Sequence, residues 1–158
     1  MIRSRIMYPW TTLYMNKVCP KNAILLEGNR IKSQEKTQEK LMKKMFINNG
    51  LRYTILSENE HYWDVCNRVT QTVVQDNAQC VCKNHWNNPR PYNGFHLDVR
   101  SWICNYEIQI HTPKSLEYRN DSFNKKLYEL GKENVYTKVL TAPLMHLQSL
   151  HVLLDKPY

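Results

Sequence analysis

Residues 105–111 alternate polar and apolar side chains without a break: Tyr106, Ile108 and Ile110 against Glu107, Gln109 and His111. Successive side chains of a strand point to opposite faces, so this stretch fits a sheet with one apolar and one polar face. Residues 94–102 alternate in the same way, and the two segments read as a hairpin. A carboxylate, an amide and an imidazole side by side on one strand face have the make-up of a site. They also have the make-up of a solvated sheet face, and alternation alone leaves both readings open.

The rest of the chain supplies helices around such a sheet. Ser33 is placed to cap a helix over 34–46, with Leu41, Met42, Met45 and Phe46 as its apolar stripe. Asn48-Asn49-Gly50 ends that helix, and 52–56 reads as a strand. Ser57-Glu58-Asn59-Glu60 has the pattern of a capping box, which predicts a helix from there to about Val74. Residues 78–83 read as a second strand and 84–92, rich in asparagine and proline, as a loop. Residues 122–130 and 140–154 read as helices, while 1–28, broken by Pro9 and Pro20, read as irregular. This order predicts one α/β or α+β domain over 1–158, a small mixed β-sheet flanked by helices, with no internal repeat or linker.

Charge and cysteine usage narrow the chemistry. A net charge of +8 on 158 residues points to a polyanionic partner: a nucleotide, RNA or an anionic membrane face. No apolar run reaches spanning length, so no membrane span is expected. Cys19, Cys66, Cys80, Cys82 and Cys104 are scattered and odd in number, which fits reduced thiols in a cytoplasmic protein rather than a disulfide framework or a zinc site. With only four glycines the chain has no Gly-rich phosphate loop.

Cations and aromatics near the predicted elements are the candidates for holding a nucleotide. Arg30 and Lys32 precede the predicted helix over 34–46, and Lys36 and Lys40 share one of its faces. Cations converging where a helix starts can cradle phosphate, because free amides and the helix dipole add to the attraction; a solvated basic face gives the same pattern. Lys83 is a further cation beside Asn84-His85-Trp86. Tyr92 offers a flat ring for stacking on a base, and His96 can donate to a phosphate or ribose.

Taken in order, Arg30-Ile31-Lys32-Ser33, Lys40, Tyr92 with His96, and Glu107-Ile108-Gln109-Ile110-His111-Thr112 resemble the synthetase domain of RelA/SpoT proteins. The resemblance spans about 28–130, leaving N- and C-terminal extensions without an assigned role, and is closest to small stand-alone or toxin-like members. It implies a fold related to nucleotidyltransferases. It also implies transfer of pyrophosphate from ATP to the 3′ hydroxyl of a purine nucleotide, with Mg²⁺ as cofactor. Arg30, Lys32 and Lys40 would hold the donor phosphates, and Tyr92 and His96 the acceptor. Glu107 would bind the metal and activate the attacking hydroxyl, with Lys83, Gln109 and His111 in supporting positions. Two other outcomes fit the same resemblance: pyrophosphorylation of tRNA 3′ ends, or an inactive nucleotide- or RNA-binding module. A neutralising protein partner fits a toxin-like member. The family carries a metal-binding aspartate in a D-(I/L/V)-x-G-x-R pattern; the matching segment is read here as Asn49-Gly50-Leu51-Arg52-Tyr53-Thr54, with Asn49 in the aspartate's place and Asp98 on the hairpin as a distant alternative carboxylate.

Overall fold

The structure is a computed structural model and describes residues 2–26, 51–86, 93–102, 104–133, 139, 141–144, 147, 150, 152, 154, 156 and 157. Its elements are α1 (Ile2–Val18), β1 (Ala23–Leu26), β2 (Leu51–Ser57), α2 (Tyr62–Gln75), β3 (Gln79–Asn84), β4 (Phe95–Arg100), β5 (Asn105–His111), α3 (Pro113–Asn120) and α4 (Ser122–Glu133). The five strands form one mixed sheet in the order β1-β2-β5-β4-β3. β2 and β5 run parallel in its middle, and every other pairing is antiparallel.

Period-two patterning sorts the sheet into two faces, as the sequence predicts. Tyr53 and Ile55 of β2, Leu97 and Val99 of β4, and Tyr106, Ile108 and Ile110 of β5 form the buried apolar face. α2 covers it with Tyr62, Val65, Cys66, Val69 and Val73, which recur at the helical period and line one stripe. The opposite face carries Arg52 and Thr54 of β2, Glu107, Gln109 and His111 of β5, and His96 and Asp98 of β4. β5 is central, and all of its residues from Tyr106 to His111 are buried on both faces.

The N-terminal segment departs from the irregular structure its prolines predict. α1 runs through Pro9, whose ring and missing N–H ordinarily cost a helix interior about 3 kcal/mol. Tertiary burial opposes that cost: Thr11, Met15 and Val18, at helical spacing, are buried, and Thr11 Oγ1 hydrogen-bonds the Tyr53 hydroxyl. β1 then adds an edge strand to β2. At the other end Val152 reaches the core, and Trp63 Nε1 donates to the Pro157 carbonyl at 3.0 Å. The described residues at 141–144, 147, 150 and 152 are helical, in line with the helix read over 140–154.

Two local signals resolve differently from their sequence reading. The capping box at 57–60 does not form: Ser57 ends β2, its Oγ donates to the Glu58 carbonyl at 3.1 Å, and a 3₁₀ turn over Asn59–His61 leads into α2. Pairing of Ser57 with Ala23 of β1 commits that residue to the strand. The polar segment after Pro113 is helical instead. Thr112 caps α3 by accepting from Ser115 N–H while Ser115 Oγ takes the Thr112 N–H, and Pro113 sits at the first helical position. The predicted helix over 34–46 lies outside the described residues.

Candidate functional site

The polar face of the sheet centres on Glu107. In the parallel ladder Glu107 is the register partner of Arg52, and in the antiparallel ladder it is the partner of Asp98. Arg52 Nε donates to Glu107 Oε2 at 3.0 Å, and Gln109 Nε2 donates to Glu107 Oε1 at 2.6 Å. His96 Nδ1 lies 3.6 Å from the same Oε1. A guanidinium and an amide thus fix one carboxylate, which is 8% exposed and has an imidazole beside it. Gln109 Oε1 is buried without a hydrogen-bond partner among the described residues. Buried acceptors of that kind are uncommon in folded proteins.

Histidines form a row beside the carboxylate. The His85 and His96 rings are 4.6 Å apart and the His96 and His111 rings 5.9 Å apart. Burial pushes the His96 pKa down to about 3; Glu107 opposes that shift, while His85, Arg119 and Arg52 add to it. Burial also holds His111 well below the ordinary histidine range, helped by Arg119 and His96. Both rings are therefore neutral at pH 7, and each offers one donor and one acceptor rather than a charge. His96 can still donate to a phosphate or ribose, but as a neutral ring.

Of the residues chosen from the sequence, the structure brings Glu107, Gln109, His96 and His111 onto one face. Lys83, the register partner of His96 on β3, lies farther out and pairs with Asp98. Arg30, Lys32, Lys40, Asn49 and Tyr92 lie outside the described residues. The reading of Asn49 needs correction on spacing alone: counted back from Gly50 and Arg52, the first residue of D-(I/L/V)-x-G-x-R is Ile47, and Asn49 directly precedes the glycine. An apolar side chain offers a metal nothing, so the departure from the family pattern is larger than an amide would make it. Sequence reasoning did not select Arg52 and His85 for the site, and it offered Asp98 only as a distant alternative carboxylate. The register that places Arg52 against Glu107 joins segments far apart in the chain, and Arg52 in the glycine-containing pattern was the available signal; Asp98 faces Glu107 across the β4–β5 hairpin.

Magnesium takes oxygen ligands and is commonly held by one or two carboxylates together with substrate phosphates. Glu107 and Asp98, opposite each other on neighbouring strands, fit that minimal donor set. Among the described residues no group of three or more His, Cys, Asp or Glu could hold a metal by itself. The five cysteines are free thiols, and none joins the polar face.

The fold, a five-stranded mixed sheet with a helix-covered apolar face, is RelA/SpoT-like. Solved structures with the same fold include small alarmone synthetase 2 from Bacillus subtilis, at a TM-score of 0.64 and 19% identity, covering 98% of this chain and 90% of that one. The type VI effector Tas1, solved with its immunity protein, aligns at a TM-score of 0.60 and 15% identity over 92% of this chain and 90% of its own. Small alarmone synthetase 1 from Bacillus subtilis, bound to its product pppGpp, aligns at 0.60 and 11% identity over 94% and 88%. No protein-family model matches the sequence, and no curated protein sequence matches it significantly. The likeness extends beyond residues 28–130 to nearly the whole chain. Among the described residues no helix is long and apolar enough to cross a membrane.

Proposed function

We propose that this chain is a nucleotide pyrophosphokinase that transfers the β,γ-pyrophosphate of ATP to the 3′ hydroxyl of a purine nucleotide. The observation that carries this reading is Glu107, held by Arg52 and Gln109 beside His96 on the polar face of a RelA/SpoT-like sheet. In the reaction the acceptor 3′ oxygen bonds to the ATP β-phosphorus. The bond from that phosphorus to the α,β-bridging oxygen breaks, and AMP leaves. Glu107 takes the 3′ hydroxyl proton, and its two hydrogen bonds fix its position for that transfer. Arg52 lies against the same carboxylate and adds a positive charge where phosphoryl oxygens gather. The neutral His96 donates its single proton to the acceptor. Arg30, Lys32 and Lys40 supply charge for the donor phosphates, and Tyr92 a stacking surface for the acceptor base. Mg²⁺, held by Glu107 with Asp98 and the substrate phosphates, would neutralise charge on the phosphoryl oxygens.

The fold likeness to Tas1, an effector solved with an immunity protein, supports a toxin role with a neutralising protein partner. The net charge of +8 favours a second acceptor, the 3′ end of tRNA, whose backbone would bind a basic surface. Incubation with γ-labelled ATP, Mg²⁺ and GDP, GTP, AMP or tRNA tests these readings together. Label on a nucleotide, lost in Glu107→Gln, supports the first; label on tRNA alone supports the second. ATP binding without transfer to any acceptor leaves a binding module and removes both.

A further inference from the structure

α3 carries Ser115 and Arg119 one turn apart on the same face. Together they hold both nitrogens of His111. Ser115 Oγ lies 3.0 Å from Nδ1, and Arg119 Nη1 lies 3.4 Å from Nε2. A guanidinium has only donors, so Nε2 accepts and the ring proton sits on Nδ1. The Ser115 hydroxyl agrees: it donates to the Thr112 carbonyl at 3.2 Å, which leaves it to accept from His111. The Thr112–Ser115 capping box fixes the serine, and Gly94 closes on the ring from the other side, where a Cβ would stand 3.0 Å from Cε1.

His111 is thus a rigid, neutral post, and Arg119 is what it aims. An imidazole orients the guanidinium through a neutral acceptor. The His111 ring adjoins His96, and His96 adjoins Glu107. Arg119 stands at one end of this row and Arg52 at the other. Both disfavour protonation of both histidines, which places the two cations within electrostatic reach of the same row. A planar guanidinium presents a fork of donors that matches phosphate oxygens.

We infer that Arg119 binds a phosphate of the acceptor nucleotide beyond its α-phosphate, aimed onto the polar face by His111 and Ser115. The inference rests on the proposed use of this face for a nucleotide, and deepens it by naming a residue that none of the sequence motifs contains.

Isothermal titration of the full chain with GTP, GDP and GMP, and with ATP, ADP and AMP, tests it. In Arg119→Gln, affinity for the triphosphate of the preferred base should fall about tenfold and for its monophosphate by less than about twofold. Arg119→Lys should recover part of the loss. Lys114→Gln, which removes the same charge from an exposed position on α3, should bind as the wild type does. Unchanged triphosphate affinity in Arg119→Gln, in a variant whose thermal midpoint matches Arg119→Lys, overturns the inference. So does an equal loss for mono- and triphosphate. Wild-type protein that binds no nucleotide overturns the proposed function as well; wild-type binding with an indifferent Arg119 removes only this residue's role.

Discussion

Arg52 and Glu107 stand opposite each other on the two parallel strands at the centre of the sheet, with Nε and Oε2 3.0 Å apart. The pair joins a strand that follows the glycine-containing segment to one that starts more than fifty residues later, and it sits where the proposed reaction needs its base. The arginine side chain keeps 28% of its exposure while the glutamate keeps 11%, so solvent screens the pair in part.

Arg52→Gln should therefore destabilise the fold by about 1–2 kcal/mol, less than a fully buried pair would lose. Urea unfolding of Arg52→Gln, Glu107→Gln and the double variant measures the coupling. Strictly additive losses would show that the two side chains do not support each other.

Tyr62→Phe removes a hydroxyl that donates to the Ile110 carbonyl at 2.7 Å and accepts from Trp86 Nε1 at 3.0 Å. Two buried groups are left without that partner, and a loss of about 1–3 kcal/mol is expected from their desolvation. Trp86 fluorescence should shift in the same variant, since its indole N–H loses its acceptor. A stability equal to the wild type's would mean that water or a neighbour replaces the hydroxyl.

Gly94→Ala puts a methyl 3.0 Å from His111 Cε1 and 3.1 Å from the Ile110 carbonyl oxygen. The carbonyl belongs to β5 and cannot yield, so the ring must move, at a cost of about 1–3 kcal/mol. Because His111 supports Arg119, nucleotide affinity should fall along with stability. A variant as stable as the wild type would show that the segment ahead of β4 adjusts instead.

Acid should weaken the fold in a defined window. The folded His96 pKa is lowered from 6.5 to about 3, and His111 is lowered as well, so between those values the unfolded chain binds more protons than the folded one. The stability from the buried neutral His96 ring is complete above pH 6.5 and is lost as pH falls toward 3, at up to about 1.4 kcal/mol per pH unit, and His111 acts in the same direction. Urea midpoints between pH 7 and pH 4.5 should fall, with a shallower slope in His96→Gln. Identical slopes in the two proteins would show that other groups set the acid response.

Much of this architecture is legible locally. The alternation over β5 assigns Ile108 and Ile110 to the core and Glu107, Gln109 and His111 to the other face, because a strand's period is two whatever surrounds it. α2 is legible for the same kind of reason, from the stripe Tyr62, Val65, Cys66, Val69 and Val73. Signals that compete with tertiary structure fail. Pro9 argues against a helix that burial of Met15 and Val18 sustains, and Ser57 is taken by its pairing with Ala23. α2 instead closes on Asn77, at a φ of 58°, with Ala78 N–H reaching back to the Val73 carbonyl.

Composition and periodicity alone determined a basic α/β chain with a one-sided polar sheet and placed Glu107, Gln109 and His111 on its polar face. Only the tertiary structure decided what stands beside them. Arg52, Asp98, His85 and Arg119 reach the site through a parallel ladder, an antiparallel ladder and a helix folded back over the strand's end. Arg52 comes from a distant segment, while Asp98 and Arg119 lie near in sequence and still meet the site only through hairpin register and the docking of α3. Burial, likewise a property of the assembled fold, is what turns His96 and His111 from candidate cations into neutral rings.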